Sequence, residues 1–292
     1  MNYKGKIWRP PSEAKSLIIQ LTVGCSHNKC TFCNMYKNKK FHIKKEVEIK
    51  KEIKAAAAKY KNIERIFLAD GDALIIKFEK LLNILKTINN NFTNLKRITS
   101  YSSPKSILHK SLNELKELKQ NGLKMTYLGI ESGADQILEK INKGANREEI
   151  IKAGKKLKEA GIINSSTIIL GLGGKEKTKL HAQATASIIN QIKPDYLSAL
   201  TLMLPEDAPL YQDVKNGNFE ILTPYQTVIE LKEIIKRLDL EEQCIFRSNH
   251  ASNYYAIKGT LPEDKNNILE KLEYIIDNPQ KYHLKAEGLR SL

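Results

Sequence analysis

The sequence predicts an α/β fold built on a parallel sheet. Apolar β-rich runs alternate with helical patterns over most of the length, and the alternation repeats about six times. The chain has 292 residues, 41% of them apolar and 28% charged, which is globular composition at the length of a single α/β barrel. Right-handed crossovers between parallel strands leave an open doubly wound sheet or a partial barrel. In either case the chemistry belongs at the C-terminal strand ends.

The first strand is expected at SLIIQLT (16–22), which runs straight into a cysteine-rich loop. A helix follows at about 45–60, with Ile49, Ile53, Ala57 and Tyr60 on one face. ERIFLAD (64–70) is the next strand, then a helix near 77–88 carrying Phe78, Leu81, Leu82 and Leu85. RITSYS (97–102) reads as a strand, and SPKSILHKSLNELKELKQNG as one helix stopped by Gly122. MTYLGIES (125–132) is a strand. Beyond it Asn146 with Glu149 forms a capping box, and Gly161 ends the helix so begun. STIILGL (166–172) and YLSALTLML (196–204) are the last strands of the series, separated by a helix near 178–192.

From Pro205 the alternation breaks. A helix near 224–238, a short strand CIFRS (244–248), a polar loop NHASNYY and a helix near 262–276 are expected to form a C-terminal α-rich extension. No Pro/Gly/Ser linker separates it, so it should pack on the preceding sheet. The organisation expected is an N-terminal extension (1–15), a core (16–204) and this extension (205–292).

The net charge is +15, carried by lysine, since only seven arginines occur. Close readers of nucleic acid use arginine forks and aromatics. Here lysine is interleaved with glutamate along helix faces, as in KKEVEIKKEIKAAAAK, and reads as solvated surface. RNA binding is the alternative and is not favoured. The N-terminus shows no apolar signal segment and the longest apolar runs are too short to span a membrane, so the cytoplasm is the expected location.

Cys25, Cys30 and Cys33 fall within GCSHNKCTFCNMY, spaced C-x4-C-x2-C. In a chain with four cysteines and no leader, clustered thiols point to a metal rather than to disulfides. Two readings are open. His27 could close a Cys3His zinc site, although all four ligands would then crowd one loop instead of coming from two separated pairs. Alternatively three thiolates hold a four-iron cluster and leave one iron to a small molecule, which is the favoured reading. Cys244 stands alone and reads as a small buried hydrophobe.

Three cysteines after the first strand, Phe32 just before the last of them and the following βα series resemble the radical S-adenosylmethionine (radical SAM) superfamily. That resemblance implies a partial (β/α)6 TIM-like barrel over residues 16–204, with a 4Fe-4S cluster on Cys25, Cys30 and Cys33 and S-adenosyl-L-methionine on its open iron. The reduced cluster passes an electron to the sulfonium, and the 5′-deoxyadenosyl radical so formed abstracts hydrogen from substrate. A reduced flavodoxin or ferredoxin is the implied electron donor. LADGDAL (68–74) resembles the family's Gly-Gly-Glu-Pro segment, with Gly71 and Asp72 matching and with Asp70 and Ala73 departing from it. In GIESG (129–133), Glu131 is the candidate acceptor for a ribose hydroxyl or the ammonium. IILGLGG (168–174), with Gly171, resembles the segment flanking adenine, and Phe32 would lie beside that ring.

Within the superfamily, the x4 spacing matches the catalytic subunit of Elongator. GIESGADQILEKINKG resembles the branch that also holds oxygen-independent coproporphyrinogen oxidase and the methylthiotransferases. Met35 stands where the coproporphyrinogen oxidases carry a further cysteine, so porphyrinogen decarboxylation is not expected. A second cluster is not expected either, because Cys244 alone does not hold one. With 24 residues ahead of Cys25, no preceding cobalamin unit is expected. Ser100 and Ser102 share one strand face and read either as polar lining or as cofactor contacts. Tyr101 and Tyr127 read as core. Arg247, His250, Asn253 and Tyr254 in FRSNHASNYY are candidates to bind substrate, with a hydrogen-bonded surface loop as the preferred alternative. A non-catalytic iron–sulfur or zinc protein on a retained barrel is the competing functional class.

Overall fold

The computed structural model describes residues 2–291. In chain order its elements are β1 (Leu17–Gln20), β2 (Thr22–Val23), β3 (His42–Ile43), α1 (Glu46–Lys59), β4 (Arg65–Ala69), α2 (Phe78–Asn91) and β5 (Arg97–Ser102). Then come α3 (Pro104–Leu108), α4 (Leu112–Gln120), β6 (Leu123–Glu131), α5 (Asp135–Lys140), α6 (Arg147–Glu159), β7 (Ile163–Leu170) and α7 (Gly174–Ile192). The chain ends with β8 (Tyr196–Thr201), α8 (Pro209–Lys215), α9 (Pro224–Arg237), β9 (Cys244–Ser248), β10 (Ile257–Leu261) and α10 (Lys265–Asp277). Eight strands follow the order β1-β4-β5-β6-β7-β8-β9-β10, an α/β sheet open at both ends, while β2 and β3 form a separate ribbon. β1 and β4, β4 and β5, β5 and β6, β7 and β8, and β8 and β9 pair parallel, and β10 returns antiparallel on β9.

The chain gathers into two compact units. The first holds residues up to Asn28, Met35–Leu128 and Lys152–Asn164; the second holds Lys29–Asn34, Gly129–Ile151 and Ser165 onward. In the first unit Ile19, Ile66, Leu68, Ile98 and Leu128 bury one sheet face against Ile49 and Ile53 of α1, Leu81, Ile84 and Leu85 of α2, and Leu115 and Leu118 of α4. The opposite face carries Phe67, Tyr101 and Tyr127 in edge-to-face contact, with ring centroids 5.2 to 6.3 Å apart. Tyr127 donates to the buried Glu13 carboxylate at 2.6 Å, and Arg97 donates to the same carboxylate at 2.8 Å. Both tyrosines are therefore packing residues, and burial raises their pKa.

In the second unit Ile168, Leu170, Leu197, Ala199 and Phe246 pack on Ile188 and Ile189 of α7, Leu231 and Ile234 of α9, and Ile268 and Leu272 of α10. Because β9 pairs with β8 and β10 with β9, the region beyond Pro205 continues the sheet as well as adding helices. The helix expected over 103–122 is two helices. Ser111 accepts from Glu114 N–H at 3.1 Å while the Glu114 carboxylate takes Ser111 N–H at 2.5 Å, so a new capping box restarts the helix there. The box expected at Asn146 and Glu149 is present, with both bonds at 2.9 Å.

Candidate active site

In the first unit the chain leaves β2 at Gly24, whose φ of +79° lies in the region glycine tolerates. Gly24 N–H donates to Asp70 Oδ2 at 3.0 Å, and Gly71 N–H donates back to the Gly24 carbonyl at 3.2 Å. The same Asp70 oxygen accepts from Gln20 Nε2 at 3.0 Å and Lys39 Nζ at 2.8 Å, and Asp70 N–H donates to Thr22 Oγ1 at 3.0 Å. Asp70, which departs from the family's glycine, thus fastens the start of the cysteine loop to the end of β4.

Gly71 backs that loop. A Cβ there would lie 2.7 Å from the Tyr36 ring and 3.1 Å from Cys25 Cβ, so only glycine lets the β4 exit approach Cys25 this closely. Asp72 is fully buried. Its Oδ2 accepts from Ser26 Oγ and from Ser103 Oγ, each at 2.7 Å, and its Oδ1 has no protein donor. Burial pushes its pKa up, against the hydroxyls of Ser103, Ser26 and Ser106 and the Lys110 charge, which pull it down.

Cys25 belongs to the first unit, and Cys30 and Cys33 to the second. All three are half-buried and in no disulfide. Among the described residues no three His, Cys, Asp or Glu side chains are gathered as a metal-binding group. In the second unit Thr31 N–H donates to the Ile141 carbonyl at 2.9 Å, Leu210 N–H donates to the Thr31 carbonyl at 3.0 Å, and Phe32 packs on the hydrophobic core.

Glu131 closes β6 with φ +64° and accepts from Lys143 Nζ at 2.8 Å. A Cβ at Gly129 would lie 2.1 Å from Glu131 Oε1, so the glycine leaves room for the carboxylate to fold back. Next to it, Ser132 meets His181 Nδ1 at 2.9 Å, while His181 Nε2 donates to the Ile169 carbonyl at 3.1 Å. Gly171, at φ +83°, donates its N–H to Glu230 Oε2 at 2.6 Å, and Thr178 donates to Glu230 Oε1 at 2.7 Å. His181 and Glu230, both buried, therefore tie the ends of β6 and β7 to α7 and α9.

Ser100 and Ser102, read from sequence as polar lining or cofactor contacts, both lie on the helix side of β5. Ser100 is paired with Leu68 and shares the face of Ile98, so it looks toward the helices rather than away from them; it donates to the Tyr101 carbonyl at 2.8 Å. Ser102 follows on the same face and donates to the Tyr127 carbonyl at 3.3 Å. Neither lines the open side of the sheet, where β5 presents Thr99 and Tyr101. Sequence reasoning also passed over Ser26, Ser103, Lys143, His181 and Glu230.

Of the tail residues, Asn253 is buried, accepts from Thr201 Oγ1 at 3.0 Å and donates to Ala199 O at 2.9 Å and Ser248 Oγ at 3.0 Å. Tyr254 OH donates to Glu287 at 2.5 Å and accepts from Arg290 at 2.6 Å, and burial pushes its pKa up to about 12. His250 Nδ1 accepts from Ser252 N–H at 3.1 Å, and burial, then Lys285, lowers its pKa. Arg247 is exposed and donates to the Phe246 and Gly259 carbonyls at 2.7 and 3.2 Å. Cys244 is buried, and burial raises its thiol pKa to about 12, as suits a packing residue.

A sequence profile of the Radical SAM superfamily matches residues 19–182. The heme chaperone HemW of Bacillus subtilis is 22% identical over 175 residues, which is 60% of this chain and 45% of that protein. The tRNA-2-methylthio-N(6)-dimethylallyladenosine synthase of Christiangramia forsetii is 27% identical over 210 residues, 64% of this chain and 43% of that protein. The chain thus spans about half the length of these curated relatives. Among solved structures, coproporphyrinogen III oxidase (HemN) from Escherichia coli aligns with a TM-score of 0.60 at 19% identity, over 76% of this chain and 51% of that one. That likeness shows the fold, the partial TIM-like barrel.

Proposed function

The chain belongs to the radical SAM superfamily, whose members are enzymes using a 4Fe-4S cluster and S-adenosylmethionine, and from that premise we propose that it abstracts hydrogen from a substrate. When bound, the cofactors supply one electron to the sulfonium, yielding methionine and the 5′-deoxyadenosyl radical that takes the hydrogen atom. The observation that carries this reading is Asp72: a buried carboxylate gripped by two serines through one oxygen, with the other left without a donor, one residue from the glycine that backs Cys25.

The residue types present fit both cofactors. Cys25, Cys30 and Cys33, three cysteines within nine residues of sequence, are the donor set of a cluster with one open iron. Asp72 Oδ1 is a buried acceptor with no protein donor, which suits the methionine ammonium. Glu131, held by Lys143 through Oε1, presents Oε2 to a ribose hydroxyl, and Phe32 and Gly171 flank adenine. Asp70 holds the base of the cysteine loop in place. Met35 supplies no thiolate; its carbonyl accepts from Trp8 Nε1 at 3.1 Å. Reduced flavodoxin or ferredoxin is the electron donor of this proposal, and the cytoplasm its location. No helix among the described residues is long and apolar enough to cross a membrane.

Anaerobic reconstitution tests the reading. Four irons and four sulfides per chain are expected, with 5′-deoxyadenosine released on adding dithionite and S-adenosylmethionine. Loss of Cys25, Cys30 or Cys33 should lower that release about a thousandfold. Stoichiometric zinc with no 5′-deoxyadenosine overturns it.

A further inference from the structure

Strand register places Thr167, Ser198, Arg247 and Lys258 in one row across β7, β8, β9 and β10 of the second unit. Thr167 pairs with Ser198, Ser198 with Arg247, and Arg247 with Lys258. Directly paired residues share a face. This face is turned away from the helices. The alternate residues Ile168, Leu197 and Phe246 lie in the core, and a Cβ on Gly259 would meet Asp264 and Ile268 at 2.9 Å. Thr167 and Ser198 are half-buried, and Arg247 and Lys258 exposed.

Neighbouring strands lie about 4.8 Å apart, so Ser198, Arg247 and Lys258 are within reach of one small group. Like charges directly opposite on an antiparallel pair destabilise it. Among the described residues neither cation has a carboxylate partner. Arg247 Nη1 rests on the Phe246 and Gly259 carbonyls, which fixes the guanidinium over the β9–β10 backbone and leaves Nε and Nη2 for another acceptor. A guanidinium fork, an ammonium and two hydroxyls in one row form a donor set for an oxyanion.

We propose that this row binds a carboxylate or phosphate group of the substrate, so that the substrate is an organic acid or phosphate ester. This rests on the hydrogen-abstraction reading for its meaning, but its test does not. Calorimetric titration of the reconstituted protein with inorganic phosphate and, separately, with acetate, each against chloride at matched ionic strength, reads the row directly. Binding of phosphate alone marks a phosphorylated substrate, and binding of acetate a carboxylic acid. In either case Arg247→Gln and Lys258→Gln should each weaken the affinity roughly tenfold. Lys258 is exposed, so its variant tests the row even where Arg247→Gln loosens β9. The proposal is overturned if neither anion binds above chloride, or if both variants bind as tightly as the parent. Anion binding without 5′-deoxyadenosine release would defeat the enzymatic reading alone. Release without anion binding would defeat this one alone.

Discussion

The backbone N–H of Gly24 donates to the Asp70 carboxylate at 3.0 Å, joining two positions 46 residues apart in the chain. Lys39 and Gln20 converge on the same oxygen, so one buried anion gathers the start of the cysteine loop, its return and β1. The family's glycine at this position has no side chain to do this. The departure at Asp70 reads as a change in how the loop is anchored, with Gly71 and Asp72 retained beside it.

Asp70→Ala should therefore destabilise the protein strongly. It leaves Lys39, 11% exposed, without its counter-ion and strands the Gly24 N–H. Breaking a buried pair on one side costs about 3–5 kcal/mol. Urea denaturation checks the magnitude, and iron content after reconstitution should fall with it. Unchanged stability and iron loading would show that Asp70 does not anchor the loop.

Gly71→Ala adds one methyl group where the Tyr36 ring and Cys25 Cβ already stand at 2.7 and 3.1 Å. Overpacking of this kind costs about 1–3 kcal/mol. Because one of the displaced groups is the first thiol, cluster occupancy should drop more than global stability does. Replacing Tyr36 by Leu in the same background should restore part of the occupancy, since it removes the closest clash.

The alternating elements were legible because apolar periodicity reports burial, and Asn146 with Glu149 marked a helix start from spacing alone. Ser111 with Glu114 is the same signal, yet Leu108, Leu112 and Leu115 carry the helical period through the break and hide it. β10 was not legible: five residues, IKGTL, with an exposed lysine and a glycine, carry little β signal. Alternation showed that Ser100 and Ser102 share a face but not which one, since that is decided by the helices packed behind Ile98. The grip of Ser26 and Ser103 on Asp72 spans 46 and 31 residues and depends on strand order, which local pattern does not contain.

Thiol reactivity separates the four cysteines. Cys244 is 1% exposed with its pKa raised to about 12 by burial and by Asp195, so its thiolate is negligible at mildly alkaline pH. In cluster-free protein, Cys25, Cys30 and Cys33 should react with a disulfide reagent under native conditions. The fourth thiol should react only on unfolding. Four fast thiols in the folded protein would contradict the burial of β9.

In the proposed methionine site, Asp72 would link cofactor binding to pH. Burial raises its folded pKa above the unfolded carboxylate value, so as pH rises the unfolded chain releases this proton first. Its contribution to stability is therefore complete at acid pH, declines as pH passes from the ordinary carboxylate range up to the raised value, and is flat beyond. Asp72→Asn removes that titration while keeping an acceptor oxygen for Ser26 and Ser103. Its stability relative to the parent should rise over the same interval, read as the difference in urea midpoint across a pH series. Affinity for S-adenosylmethionine should move the other way, falling roughly tenfold through loss of a charge-assisted bond to the ammonium. Midpoint curves that stay parallel would show that the Asp72 carboxyl does not titrate against burial, and undiminished cofactor affinity would remove it from the methionine site.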